Sequence, residues 1–373
     1  MAYNILTGDC LEQLRLLPDN SFDGCLSDPP YSISFMGASW DKALPSPEVW
    51  AEVLRVCKPG ALLLSFGGPR TFHRLAVAIE DGGWQIRDTL CWLHAQGFPH
   101  GKNLGQGYNT QLKPAFEPVI LAQAQVDGSI GDNFAKWSCG GLNIDGCRIE
   151  PQQGDYQHPG NPTQKQSGTV YGWANCPTKY TQCPPNAKGR YPANVLLDEE
   201  VAQQLDQQSG ETKSVKSNRG RGFSSAGSND GWKRQSHDNN VVGGYNDKGG
   251  ASRFFYCAKS SRKERDKGLE ALPAKYLATM GDGIGERPHN PDQPSAYVKN
   301  NHPCCKPLAL CRYLATLILP PKGETPRRIL IPYCGSGSEC IGALQAGWCD
   351  VTGIEREPEY VEIAKARINA QLV

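Results

Sequence analysis

The chain has 373 residues, enough for one large α/β domain carrying an insertion or for two modest domains. Its 39% apolar and 21% charged residues are those of a globular protein, and a net charge of +1 neither requires nor excludes nucleic acid, because a basic face can be balanced elsewhere. The 15 cysteines fall short of a disulfide scaffold, and no leader-like or bilayer-length apolar run is present; a cytoplasmic protein with reduced thiols and no membrane partner is expected.

Three zones are predicted. Residues 1–123 alternate short apolar runs with helical patterns, as parallel α/β sheets do. The predicted strands there are Tyr3–Leu6, Gly24–Ser27, Ala61–Ser65, Thr89–Leu93 and Pro118–Leu121. Helices are predicted over Leu11–Leu17 and over Pro47–Val56, the latter stopped by Lys58-Pro59-Gly60. Residues 124–300 are rich in Gly, Asn, Gln, Ser and Pro and are expected to be an irregular insertion, with Ala193–Leu197 and Arg253–Ala258 its few periodic segments. Residues 301–373 return to α/β patterning: helix Leu308–Leu319, strand Arg328–Ile331, helix Ser338–Ala346, strand Asp350–Ile354 and helix Pro358–Asn369.

Asp28-Pro29-Pro30-Tyr31 follows directly on the strand Gly24–Ser27. An acid at the C-terminal end of a parallel strand lies where open α/β sheets bind ligands. The prolines remove backbone donors, which leaves nearby carbonyls as acceptors. Asp28 and a main-chain carbonyl suit an aromatic NH2 group: two accepted hydrogen bonds draw its nitrogen toward tetrahedral geometry and free its lone pair for attack. Tyr31 offers a face on which an extruded base can stack. A plain Asp-Pro turn is the competing reading.

Tyr333-Cys334-Gly335-Ser336-Gly337 joins a predicted strand to a helix, and Glu355 comes twenty positions after Gly335, at the end of the next strand. That is the spacing at which an acid meets ribose hydroxyls in nucleoside-binding βαβ units. Cys340 stands where a dinucleotide fingerprint has its third glycine, so a cofactor with a ribose but no pyrophosphate, S-adenosylmethionine, is favoured over NAD. A nicotinamide-dependent oxidoreductase and a purely structural turn remain the alternatives.

Together these motifs resemble the β-type amino-methyltransferases of DNA, including phage and prophage members. Gly8-Asp9-Cys10, Asn301-His302-Pro303-Cys304-Cys305-Lys306-Pro307 and Gly353-Ile354-Glu355-Arg356-Glu357-Pro358-Glu359-Tyr360 add to the likeness, as do Leu112–Pro118, Leu142–Asp145 and Arg253–Lys259. The resemblance implies a circularly permuted seven-stranded S-adenosylmethionine-dependent methyltransferase fold of Rossmann-like type. Residues 1–123 would form its catalytic half, 124–300 an inserted irregular target-recognition region, and 301–373 its cofactor-binding half. It implies that Asp28, Pro29, Pro30 and Tyr31 are catalytic and that Tyr333, Gly335 and Gly337 line the methionine part of the cofactor. By the same likeness Glu355 holds the ribose, Asp9 and the Cys10 backbone meet the adenine, and Lys306 helps hold the methionine end. Two positions depart from the pattern, where Ile331 and Cys304 replace the usual Asp and Thr.

The expected reaction is methylation of a flipped base in double-stranded DNA, adenine N6 because Asp28 stands where N4-cytosine enzymes more often carry Ser, with cytosine N4 as the alternative. A homodimer and a cognate restriction endonuclease are the protein partners considered. An idle DNA-binding protein on the same frame, or transfer to RNA or to protein glutamine, are further alternatives. Residues 211–270 hold 13 Lys and Arg against 7 Asp and Glu, interleaved with Phe223, Trp232, Tyr245 and Phe254–Tyr256. This predicts a DNA face using Arg219, Arg221, Lys233, Arg234 and Arg253, against the reading of a solvated charge run. The pairs Cys139/Cys147 and Cys176/Cys183 are too widely spaced for a zinc knuckle, and no metal is expected. His73, His94 and His100 are read as structural, and Gly97–Asn103 as an ordered loop at the substrate mouth.

Overall fold

The computed structural model describes residues 2–33, 39–95, 97, 101–150, 188–213, 217–218, 242–243, 247–258, 262–273, 275–276, 297–300, 302, 304–323 and 326–372. In chain order the main elements are β1 (Ala2–Thr7), α1 (Cys10–Arg15), β2 (Phe22–Ser27), α2 (Pro47–Val56), β3 (Cys57–Phe66), α3 (Phe72–Asp81), β4 (Gln85–Leu93), β5 (Phe116–Gln123), α4 (Ile130–Trp137), β6 (Val195–Asp198), α5 (Glu199–Ser209), β7 (Tyr256–Ala258), α6 (Arg262–Asp266), α7 (Leu308–Leu317), β8 (Arg328–Pro332), α8 (Ser338–Ala346), β9 (Asp350–Glu355) and α9 (Pro358–Leu372).

The strands form one nine-stranded sheet in the order β1-β9-β8-β2-β3-β5-β4-β6-β7. From β1 through β3 the neighbours run parallel, whereas β5 is antiparallel to both β3 and β4. The last two strands of the chain, β8 and β9, lie between its first two, β1 and β2. This interleaving is the expected circular permutation: the sheet is continuous where the chain is not. The sheet is wider than the expected seven strands because β6 and β7, from the central zone, extend it beyond β4.

Amphipathic helices cover the sheet. On α2, Val49, Trp50, Val53 and Val56 are buried on one face, and Pro47 starts the helix where its missing N–H costs nothing. The helix spans Pro47–Val56 as expected, and β3 begins at once at Cys57 and carries Lys58-Pro59-Gly60 near its start. The core between α1, α2, α3 and the sheet includes Leu14, Phe22, Trp50, Leu63, Leu75 and Ile79. One apolar residue of this size stabilises by about 1.5–3 kcal/mol when buried.

Two compact units are present. The first comprises Met1–Cys147, Ala193–Ala202 and Cys257–Val373; the second comprises Arg148–Pro192 and Gln203–Tyr256. These edges differ from the composition boundaries at 123/124 and 300/301. The difference at 124–147 has a polar cause. α4 is capped by Ser129, and its Asn133 is fully buried, donating from Nδ2 to the carbonyls of Pro59 at 3.1 Å and Cys139 at 3.0 Å. α4 carries Ile130, Phe134 and Trp137 at helical spacing, yet Ile130 and Phe134 stay exposed and the buried anchor is the Asn133 amide.

Candidate active site

The C-terminal ends of β1, β9, β8 and β2 open onto a cleft of about 1950 Å³ within the first unit. Its lining includes Asp9 and Cys10, Glu355, Tyr333 and Gly335, and the whole of Asp28-Pro29-Pro30-Tyr31. Chain segments remote in sequence meet here because parallel strands deliver their following loops to one edge.

On the β8–β9 side the site is built from main chain. Tyr333, Gly335 and Gly337 have φ of 60°, 49° and 80°, so the turn into α8 is left-handed at three of five residues. A Cβ on Gly335 would lie 2.7 Å from His302 Nε2. The Glu355 carboxylate accepts the backbone N–H of Gly335 on Oε2 and that of Glu357 on Oε1, each at 2.9 Å. Burial pushes its acidity constant upward, against the backbone amides of Glu357, Gly335 and Arg356. Asp9 caps α1, with Oδ1 accepting Leu11 N at 2.9 Å. The Cys10 thiol is raised to about 12 by burial, although it hydrogen-bonds with Tyr333.

On the β2 side the site is built from side chains. Lys306 Nζ lies 3.0 Å from Asp28 Oδ2, 3.1 Å from Glu117 Oε2 and 3.1 Å from the Tyr31 hydroxyl. The Tyr31 hydroxyl donates to Asp28 Oδ1 at 2.7 Å and lies 3.1 Å from Glu117 Oε2. Burial works against the Lys306 charge, yet Asp28 and Glu117 outweigh it and hold the ammonium well above the usual lysine range. Burial, then Asp28 and Glu117, push the Tyr31 phenol well up, so the hydroxyl keeps its proton. Asp41, 1% exposed, fixes the backbone beyond the tetrapeptide by accepting Tyr31 N at 2.6 Å and Ser32 N at 2.8 Å. The Asp28 side chain retains 14% exposure toward the cleft.

The structure brings Asp9, Cys10, Asp28, Pro29, Pro30, Tyr31, Lys306, Tyr333, Gly335 and Glu355 into one cleft, with Gly337 in the turn behind. Lys306 lies against the Asp28 carboxylate. Lining residues that the sequence reading left without a role include Asp41, Glu117, His302 and Glu339. Glu117 and His302 sit inside stretches that carry the family likeness, and Glu117 enters the site because antiparallel β5 starts at the edge where its neighbours end. His302 stacks on Trp40 and packs edge-on to Tyr360 at 4.5 Å between centroids.

One expected DNA contact is corrected. Arg253 is 4% exposed and turned inward within the second unit. Its Nη1 donates to Thr212 Oγ1 at 2.9 Å and to the carbonyls of Gly249 and Gly250, and its Nε lies 3.6 Å from Asp247. Asp247 is fully buried and is also gripped through both oxygens by Arg190 at 2.7 Å. A buried carboxylate demands cationic partners, and that demand takes Arg253 away from any phosphate. Arg219, Arg221, Lys233 and Arg234 lie outside the described residues, as do Cys176, Cys183, His100, Phe223, Trp232 and Tyr245. Among the described residues no helix is long and apolar enough to cross a membrane.

The type II methyltransferase M.HindIII of Haemophilus influenzae is 29% identical over 116 residues, a stretch covering 26% of this chain and 37% of that one, so the likeness spans well under half of the relative's length. Among solved structures, M1.HpyAVI aligns over 98% of both chains at 13% identity and a TM-score of 0.42. The cytosine-N4-specific PvuII DNA methyltransferase aligns over 98% of this chain and 86% of its own at 12% identity and a TM-score of 0.46. A family model described as DNA methylase matches residues 22–366, nearly the whole length, and the chain belongs to that N6/N4 DNA methylase family.

Proposed function

We propose that the protein transfers a methyl group from S-adenosylmethionine to the exocyclic amino group of a flipped base in double-stranded DNA, adenine N6. The observation that carries this reading is that Asp28 and Glu355 line one cleft, two strands apart in the sheet. The residues fit the cofactor. The Glu355 oxygens accept the backbone N–H groups of Gly335, Glu357 and Arg356 and, with two lone pairs on each oxygen, retain one for a ribose hydroxyl. Gly335 brings bare backbone to the cleft wall, and Tyr333 with Cys10 supplies an apolar flank. When bound, S-adenosylmethionine supplies a methyl carbon activated by a sulfonium sulfur.

The chain's own groups do the rest. Asp28 accepts an N–H of the base amine and orients its lone pair, and it stands ready to take the proton the nitrogen sheds. Lys306 and the Tyr31 hydroxyl hold that carboxylate in place. Pro29 and Pro30 lack backbone donors and leave the carbonyls of Asp28 and Pro29 as acceptors, and the ring of Tyr31 supports the base.

Incubating duplex DNA with the protein and labelled S-adenosylmethionine, then digesting to nucleosides, tests the proposal. N6-methyladenine is expected, and Asp28→Ala abolishes transfer while leaving cofactor binding largely intact. Finding only N4-methylcytosine would move the assignment to cytosine; no transfer to any DNA would defeat the enzymatic reading.

A further inference from the structure

The cleft contains one buried carboxylate whose surroundings the reading above does not explain. Glu339 is the second residue of α8, directly after the Gly335–Ser338 turn; it is 4% exposed and lines the cleft. The other acids at this edge are all satisfied: Glu355 by backbone amides, Asp41 by amides of Tyr31 and Ser32, Asp28 by Lys306 and Tyr31. Among the described residues Glu339 receives only the weak Cys311 thiol, 3.8 Å from Oε1, and its own backbone N–H. Among the described residues neither of its oxygens pairs with a cationic side chain.

The nearby cations are committed elsewhere. Lys306 bridges Asp28 and Glu117. Arg367, from α9, donates through Nη1 to the Ser336 carbonyl at 2.6 Å and to the hydroxyls of Ser336 at 2.9 Å and Ser338 at 3.2 Å. A carboxylate removed from water without a cation or a set of strong donors is costly and calls for a partner from outside the chain.

We propose that Glu339 binds the α-ammonium group at the amino-acid end of the cofactor. This deepens the cofactor assignment made above and rests on it. Of the polar groups of S-adenosylmethionine, the ribose diol is served by Glu355, and the sulfonium has no hydrogen to donate. The ammonium is the cationic donor left over, and Glu339 is the acceptor left over. Its position just past the glycine turn that receives the methionine part places the two at the same end of the site. The direction of its titration agrees: burial first, then the nearby Asp28, raise Glu339 to about 7, opposed by Lys306 and Arg367. The empty-handed acid is thus poorly stabilised as an anion, and an arriving ammonium supplies what it lacks.

The test is equilibrium binding by the full chain of S-adenosylhomocysteine and of its desamino analogue, in which hydrogen replaces the ammonium group. Neither ligand carries a sulfonium charge, so the difference between them reports the ammonium alone. The wild-type protein is expected to prefer S-adenosylhomocysteine by about 10-fold or more, the worth of a hydrogen bond between charged groups. Glu339→Gln, nearly isosteric, is expected to lose that preference while binding the desamino analogue as before. A wild-type protein that does not distinguish the two ligands overturns the inference without recourse to any variant. So does a Glu339→Gln protein that keeps the preference or weakens both ligands alike. If the wild-type chain binds S-adenosylhomocysteine not at all, the cofactor assignment itself is wrong and this inference falls with it.

Discussion

Glu355 and Asp28 end strands that lie two apart in the same sheet, yet the two sides of the cleft are held by different means. Glu355 is fixed by backbone amides of Gly335 and Glu357, neighbours through strand register and a tight turn. Asp28 is fixed by the side chains of Tyr31 and Lys306, with Glu117 as third party, and these come from three remote stretches of chain. One side is set once the turn forms. The other exists only when the whole sheet has assembled, and it depends on charge balance more than on backbone shape.

The sharpest way to break that comparison is Lys306→Met. It leaves the Asp28 and Glu117 carboxylates facing each other, with side-chain exposures of only 14% and 21%, and removes the ammonium between them. Removing one partner of a buried ion pair costs about 3 kcal/mol, which in a domain of this size lowers the melting temperature by roughly 6–12 °C. Adding Glu117→Gln to that variant recovers part of the loss, because one of the two stranded charges is gone. Thermal melts of the single and double variants check both statements. An unchanged melting temperature in Lys306→Met would mean that the ion cluster contributes nothing net.

The same contrast explains what was legible in the sequence. Gly335, Glu355 and the strand-end Asp28 could be found because their roles follow from local backbone rules and fixed spacing along the chain. The strands of the first 123 residues could be located for the same reason. Glu117 could not be assigned, since nothing within its own stretch says that β5 runs backward and starts at the cleft. Arg253 was misplaced because its charge was visible and the buried Asp247 that claims it was not. The helix α4 was passed over although Ile130, Phe134 and Trp137 recur at helical spacing, because it opens a segment read as polar and its buried anchor is the Asn133 amide.

A smaller effect is expected on the backbone-built side. Gly335→Ala must hold a β-carbon at φ 49° and 2.7 Å from His302 Nε2. The strain of a non-glycine residue there is about 1–2 kcal/mol, and the displaced turn pulls its amide away from Glu355. Weaker S-adenosylhomocysteine binding with little loss of DNA affinity is the expected outcome, read by titrating each ligand separately. An alanine variant that binds the cofactor product as tightly as wild type would show that the turn tolerates adjustment.

The smallest effects are those of pH, and here two neighbours of the Gly335 turn pull in opposite directions. Burial lowers His302 to about 4 from an ordinary 6.5, against a hydrogen bond with the Cys304 carbonyl that favours its charged form. A folded-state value below the unfolded one means that its stabilisation is complete above 6.5 and is lost as pH falls through 4. Glu339 is raised to about 7 from an ordinary 4.5, so its stabilisation is complete below 4.5 and is lost as pH rises through 7. The two windows, 4 to 6.5 and 4.5 to 7, overlap almost completely, so the opposing contributions nearly cancel and this pair changes the melting temperature of the unliganded chain little across that range. His302→Gln should leave Glu339 unopposed, so that the melting temperature falls as pH rises from 4.5 to 7, and Glu339→Gln should leave His302 unopposed, so that it rises from pH 4 to 6.5 and ends above wild type near pH 8. Saturating S-adenosylhomocysteine should act on the wild type as Glu339→Gln does, because an ammonium seated on Glu339 removes the penalty that ionising it carries. If the liganded wild type keeps the unliganded pH profile, the buried acid is answering to some other group.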